Sequence, residues 1–137
     1  MGYDIKFVSI SEVIAWMKRT GKSLTELEYF EDIEEDEGSY LSYNFGCFSD
    51  IWYERESFGK TTEDFAKDLR AASKELTENK ISAEIPGGIF EKTGKPFDGW
   101  SSDLRVFHWH IKRLLKLCED NPACIVLADI GHDIYVT

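Results

Sequence analysis

Hydrophobic and polar positions alternate in two stretches of the chain, and this alternation is typical of β-strands. The two stretches are residues 3–8 and residues 39–47. Their apolar faces consist of Tyr3, Ile5 and Phe7 in the first and Leu41, Tyr43, Phe45 and Cys47 in the second. Residues 123–128 are a continuous apolar run, typical of a central strand covered on both faces. Residues 134–136 can add a last short strand.

Apolar residues at helical spacing predict a first helix over about residues 10–20. Ser9, with Glu12 three residues later, fits a capping box at its start, and Gly21 lies where a C-cap is expected. The predicted buried stripe of this helix consists of Ile10, Val13, Ile14 and Met17.

Two longer helices are predicted over about residues 61–79 and 102–118. Their apolar stripes are Phe65, Leu69, Ala72 and Leu76 in the first, and Leu104, Phe107, Ile111, Leu114, Leu115 and Cys118 in the second. Between them, residues 81–99 contain four of the ten glycines and two of the three prolines, which predicts a long loop.

This order of elements predicts an α+β fold, with about three helices packed on a small mixed or antiparallel sheet of about four strands. The chain has 137 residues, of which 42% are hydrophobic, enough for one domain with a substantial core. Residues 22–38, which include an acid-rich run, are interpreted as an insertion in this domain.

The protein is strongly acidic, with a net charge of −10. Such a charge argues against direct binding to nucleic acid or to an anionic membrane, because both require a cationic surface. Residues 26–37 contain eight acidic residues and no basic residue. Without them the chain has 18 acids and 16 bases, so the excess negative charge is a local feature.

The acidic segment, residues 31–37, lacks the ligand spacing of a calcium-binding loop, and no metal site is predicted. Three interpretations remain: a solvated loop before an edge strand, a surface that mimics phosphates and contacts a basic partner, or weak nonspecific binding of divalent cations. The candidate partner-binding residues are Glu31, Asp32, Glu34, Glu35, Asp36 and Glu37.

A basic strip is predicted on the outward side of the helix over residues 102–118. It consists of Arg105, Trp109, Lys112, Arg113 and Lys116. Tryptophan and arginine are typical anchors of protein interfaces. The strip is therefore a candidate contact surface for a partner, or for the acidic segment of the same chain or a neighbouring copy. The alternative is an ordinary solvated helix face.

No catalytic constellation is recognised in the sequence, so an enzyme is not the favoured interpretation. His108 and His110 point about 200° apart on a helix, too far to share a metal ion. A Cys118–His132 pair has no local support, and structural roles are favoured for the histidines. Residues 59–61, Gly-Lys-Thr, lack the glycine spacing of a phosphate-binding loop and predict a turn followed by a helix N-cap.

Three cysteines, Cys47, Cys118 and Cys124, lie in apolar settings without metal-binding spacing. They are expected to be reduced, buried thiols in a cytoplasmic protein. No signal peptide or membrane span is recognised, and no cofactor is implied.

A small-ligand-binding protein or enzyme is the competing class. Its pocket would be lined by Tyr43, Asn44, Trp52 and Trp100, since aromatic and amide groups suit a planar or polar ligand.

Several short motifs resemble a family of small bacterial and phage proteins whose function is unassigned. The matching residues are Gly2-Tyr3-Asp4, Tyr43-Asn44, Gly59-Lys60-Thr61, Gly99-Trp100, and Cys118 to Pro122 leading into Ile125-Val126. The resemblance covers most of the chain in order, except for residues 10–38. It implies a soluble single domain from a bacterial or mobile-element setting and supplies no activity.

The sequence therefore favours a non-enzymatic, cytoplasmic protein-binding domain. One form of it is a phage- or mobile-element-borne inhibitor or immunity-type protein, whose acidic surface contacts a basic nucleic-acid-binding protein. A structural subunit of a homo-oligomer is a further alternative.

Overall fold

The computed structural model describes residues 3–27, 33, 39–43, 59–94, 103–130 and 133–134. Within them the fold is mixed α+β, which confirms the predicted class, and it has four α-helices instead of about three. In chain order the elements are β1 (Tyr3–Ser9), α1 (Ile10–Thr20), a 3₁₀ turn (Leu24–Glu26), β2 (Ser39–Tyr43), α2 (Thr62–Glu78), α3 (Pro86–Thr93), α4 (Leu104–Asp120), β3 (Cys124–Ile130) and β4 (Asp133–Ile134).

The central feature of the sheet is the antiparallel pair of β1 and β3, which runs from Tyr3 opposite Ile130 to Ser9 opposite Cys124. β2 pairs antiparallel with the other edge of β1, and β4 pairs with the end of β3. The predicted strand residues 44–47 and 135–136 lie outside the part of the chain that the structure describes.

One face of the β1–β3 pair carries the larger hydrophobic core, because alternate residues of each strand point to the same side. α2 and α4 pack on this face. Their predicted apolar stripes are largely buried: Phe65, Leu69, Phe107 and Ile111 have no exposed surface. The core is formed by Ile5, Phe7, Phe65, Ala66, Leu69, Ala72, Leu76, Phe107, Ile111, Leu114, Cys118, Cys124 and Val126.

The opposite face carries a second, smaller core beneath α1. It consists of Val8, Val13, Trp16, Leu27, Ile33 and Leu127. The helix bounds of 10–20 are confirmed, but the predicted buried stripe is wrong in two positions, since Ile14 is 46% exposed and Met17 39%. The hydrogen bond from the Ile10 amide to the Ala123 carbonyl (3.0 Å) fixes the start of α1, so that Val13 and Trp16 turn toward the sheet.

The predicted loop over residues 81–99 is wrong where α3 forms, over Pro86–Thr93. Proline at the first helical turn costs no hydrogen bond, and Gly94 ends the helix in the left-handed conformation (φ 72°). Pro86 and Ile89 are buried, and their burial offsets the low helix propensity of the two glycines between them. The glycine and proline content of this segment therefore led to the wrong prediction of a loop. Residues 95–99 lie outside the described part.

The turn and N-cap predicted at residues 59–61 are confirmed, and they have a further role at the sheet edge. The Thr61 hydroxyl accepts a hydrogen bond from the Asp64 amide (3.2 Å) at the start of α2. The Gly59 amide donates to the Val126 carbonyl (2.7 Å), and the Val126 amide donates to the Lys60 carbonyl (2.9 Å). The turn thus covers the outer edge of β3 with backbone hydrogen bonds, which protects that edge from other strands.

Candidate partner-binding face of the fourth helix

α4 is amphipathic, and its ends are fixed by local hydrogen bonds. The Asp103 carboxylate accepts from the Arg105 amide (2.9 Å) at the N-terminus, and the Asn121 amide donates to the Cys118 carbonyl (3.4 Å) at the C-terminus. The buried side faces the sheet and α2. All five residues of the predicted basic strip lie outside the buried set of this helix.

Trp109 and Arg113 form the centre of this face. The guanidinium carbon of Arg113 lies 4.7 Å from the centroid of the Trp109 ring, a cation–π contact one helical turn apart. Both side chains are partly exposed. Burial lowers the pKa of the Arg113 guanidinium, which remains charged at neutral pH because arginine titrates far above it. The pair offers a partner a flat, cationic contact.

The ends of the basic strip are engaged by acids of the same chain. Arg105 pairs with Asp103 (2.7 Å) and lies 4.0 Å from Glu84. Hydrogen bonding to Arg105 lowers the pKa of the Asp103 carboxyl. Lys116 pairs with Asp120 (3.3 Å) and lies 3.8 Å from Glu119. The strip is therefore less cationic than its sequence indicates.

The middle of the strip keeps its charge. In the part of the chain that the structure describes, neither Lys112 nor Arg113 has a carboxylate partner. Lys112 is exposed, and with Trp109 and Arg113 it forms what we call the central strip. In this part of the predicted strip, Lys112 and Arg113 can pair with an acidic group of a partner, and the Trp109 ring lies beside them.

His108 lies beneath this face and ties three segments together. Its Nδ1 lies 2.8 Å from the Ile81 carbonyl, which can only accept, so Nδ1 carries the proton. Its Nε2 therefore accepts from the Ser73 hydroxyl at 2.8 Å in the neutral ring. Burial lowers the pKa of His108, and the same cause lowers that of His110 to about 4. Both rings are buried in the packing of α4.

Cys118 and Cys124 are buried free thiols, as predicted; Cys47 lies outside the described residues. Burial raises the pKa of the Cys118 thiol to about 12, so the reactive thiolate is scarce at neutral pH. Cys118 lies at a surface cleft of about 360 Å³ between α2 and α4, which Arg70 and Glu119 also line. His132, its possible catalytic partner, lies outside the described part.

Burial should make both of these thiols slow to react. In a Cys47→Ser background, we expect almost no thiol to titrate with Ellman's reagent in the folded protein at pH 8, and two to titrate in 8 M urea. The reason is that the reagent needs an accessible thiolate. Fast reaction of one thiol without urea would instead mark an accessible, activated cysteine.

Lys6 was missed by the sequence reasoning. It is only 4% exposed and lies on the α1 face of the sheet, opposite Leu127 and Tyr40. The sequence did not indicate the burial of Lys6, because that burial depends on the strand register and on packing against distant residues.

Most of the other predicted site residues lie outside the described part of the chain. All six acidic candidates lie outside the described residues, and only Ile33, between Asp32 and Glu34, is described; it is buried, with 6% exposed. Asn44, Trp52 and Trp100 also lie outside. Of the predicted pocket only the backbone of Tyr43 is described, at the end of β2 opposite Tyr3.

No protein-family model matches this chain, and neither a characterised protein nor a solved structure is significantly similar to it. Among the residues described, no helix has both the length and the apolar character needed to cross a membrane. The geometry of the chain itself is thus the basis for assigning it a function.

Proposed function

We propose that this chain is a non-enzymatic protein-binding domain of the cytoplasm. Its contact surfaces are the acidic segment and the central strip on α4. The observation that carries the proposal is the partly exposed Trp109 ring beneath the Arg113 guanidinium, on a protein whose net charge is −10. An inhibitor or immunity-type protein, which uses its acidic segment against a basic nucleic-acid-binding partner, is the form of this function that the charge distribution favours.

The energetics of interfaces support the assignment to α4. Tryptophan and arginine dominate the binding energy of many protein interfaces, because they bury large flat surfaces and also form polar contacts. The cation–π contact holds Arg113 against Trp109, so less side-chain entropy is lost when a partner binds. The outer pairs, Arg105–Asp103 and Lys116–Asp120, suit a polar rim around this centre.

We propose that these surfaces belong to one domain of 137 residues. The strand pairings support it, since β2 and β4 extend the β1–β3 pair on both sides into a four-stranded antiparallel sheet. Helices then cover both faces of that sheet.

The central strip can be tested by affinity capture from extracts of the native host. We expect the double variant Trp109→Ala/Arg113→Ala to recover at least about tenfold less of any partner than the wild-type protein, since two anchor residues are lost. Lys67→Ala/Lys74→Ala on the exposed side of α2 is the control and should bind normally. Equal recovery by both variants would show that the central strip is not part of the interface.

The acidic segment has its own test. Neutralising it with Glu34→Gln, Glu35→Gln, Asp36→Asn and Glu37→Gln should weaken capture and make the remaining binding less sensitive to salt, because fewer screened charge pairs contribute. Capture that keeps its strength and its salt dependence would show that the segment is only a solvated loop.

A small-ligand-binding protein is the second candidate, favoured by the cleft beside Cys118. A ligand that binds the folded state raises its melting temperature by mass action. A thermal-shift screen with nucleotides and metabolites therefore distinguishes this candidate from the first.

A further inference from the structure

The cleft between α2 and α4 has the size of a small-ligand site. Its volume is about 360 Å³, and pockets that hold small ligands start at about 300 Å³. Each helix contributes residues that are three or four positions apart and therefore share one helix face. These residues are Glu63, Ala66 and Arg70 on α2, and Leu115, Cys118 and Glu119 on α4.

The buried lining residues form an apolar floor. Ala66 and Cys118 are 3% and 6% exposed and belong to the larger core, and Leu115 packs against that core. The Thr62 hydroxyl, which also lines the cleft, donates a hydrogen bond to the Asn121 carbonyl (2.8 Å) and so joins the start of α2 to the end of α4. The cleft is therefore held open before a ligand binds, and little conformational entropy is lost on binding.

Arg70 supplies the positive charge of the cleft. It is exposed and forms no ion pair with another residue that the structure describes, whereas Lys67 and Lys74 on the same helix each pair with an acid. A guanidinium binds a carboxylate through two parallel hydrogen bonds. Arg70 can therefore hold the carboxylate of a ligand beside the apolar floor.

Glu119 supplies a negative charge on the α4 side. It lies 3.8 Å from Lys116, which is beyond the distance of a hydrogen bond, and Lys116 lies closer to Asp120 (3.3 Å). The Glu119 carboxylate can therefore accept hydrogen bonds from a ligand.

The charges of Arg70 and Glu119 act on the same part of the floor. Burial is the main cause of the raised pKa of the Cys118 thiol, but the Arg70 charge lowers that pKa and the Glu119 charge raises it. Both charged groups are thus close enough to the thiol to change its pKa. A ligand that lies over Cys118 meets a cation and a carboxylate together.

These groups select the chemistry of the ligand. The cleft has one positive and two negative side chains, because Glu63 also lines it, so nucleotides and other polyanions are repelled. A simple carboxylate would not use Glu119, and a simple amine would not use Arg70. The described floor has no aromatic ring on which a planar ligand could stack, and it suits an aliphatic group.

We propose that the cleft binds a free α-amino acid with an aliphatic side chain. Its carboxylate pairs with Arg70, its ammonium pairs with Glu119, and its side chain lies on the apolar floor. This site rests on the second candidate function, small-ligand binding, and gives that ligand a chemical class. It is independent of the central strip.

Isothermal titration calorimetry of the purified protein with L-leucine tests the site. We expect saturable binding to the wild type and at least about tenfold weaker binding to Arg70→Gln, because charge-assisted hydrogen bonds are lost. Lys74→Gln, an equal charge change on an exposed position of the same helix, is the matched control and should bind as the wild type does.

Two analogues of leucine test the two charged contacts. Isocaproate lacks the ammonium and isoamylamine lacks the carboxylate, and each should bind the wild type at least about tenfold more weakly than leucine does. Glu119→Gln should weaken the binding of leucine but not that of isocaproate, because isocaproate has no ammonium to lose its partner. Arg70→Gln should weaken the binding of both.

Three results would overturn the proposal: no saturable binding of L-leucine up to about 10 mM, leucine binding that is unchanged in Arg70→Gln, or isocaproate that binds as tightly as leucine. Circular dichroism of each variant checks that it is folded. If leucine does not bind but another compound raises the melting temperature, the amino-acid site is refuted and small-ligand binding stands. Capture of a protein partner is measured separately and is not affected by either outcome.

Discussion

Replacing Trp16 by alanine should lower the free energy of unfolding by about 3–5 kcal/mol, the largest loss expected from a single change on the α1 side. Trp16 is 4% exposed and packs with Val8, Val13, Leu27, Ile33 and Leu127. Its truncation leaves a cavity in a core that has few other residues to fill it. Urea unfolding followed by circular dichroism measures the loss without depending on tryptophan fluorescence.

Met17→Ala is the matched control, because the next residue of the same helix is 39% exposed. It should change the free energy of unfolding by less than about 1 kcal/mol, since alanine has the higher helix propensity and little burial is lost. Equal losses in both variants would mean that α1 buries the stripe predicted from the sequence instead of Val13 and Trp16.

Acidification from pH 7 to about 4.5 should destabilise the protein through its two buried histidines. Burial lowers the pKa of His110 from 6.5 to about 4, and that of His108 in the same direction. Between these values the unfolded chain binds more protons than the folded chain, so stability is present above pH 6.5 and is lost as the pH falls. At about 1.4 kcal/mol per unit, the loss from His110 is about 2 kcal/mol after allowing for partial solvation.

The variant His110→Gln checks the assignment, because glutamine does not titrate. Urea unfolding at several pH values should show a smaller slope of stability against pH between 6.5 and 4.5 than in the wild type. The lowered pKa values of Asp103 and Glu84 act in a lower window, below the ordinary values of 3.8 and 4.5. An unchanged slope in the variant would assign the pH dependence to other groups.

The long helices were predictable because a single pattern determines them. In α2 the stripe of Phe65, Leu69, Ala72 and Leu76 is buried as expected, and the caps at Thr61 and Asn79 lie where the sequence places them. Capping residues and a repeated apolar stripe are local signals. In a helix of 17 residues the stripe repeats over several turns, so one atypical residue does not change the prediction.

The candidate site was predictable only in part. The sequence identified the five residues of the basic strip, since helical spacing alone places them outside the apolar stripe. It did not indicate that Asp103 and Asp120 hold its two ends, or that His108 is fixed between Ser73 and Ile81. The contacts of His108 join segments that are 27 and 35 residues away from it along the chain.

By itself, the sequence determined the α+β class, the bounds of three helices to within about two residues, and the concentration of negative charge in residues 26–37. Tertiary structure decided which side of α1 is buried, that Pro86–Thr93 is helical, and that Ile33 and α4 lie on opposite faces of one sheet. Local patterns determine which elements form, because propensity, capping and periodicity act over a few residues. The contacts between surfaces depend on strand register and on burial against distant residues. No local sequence pattern specifies either of these.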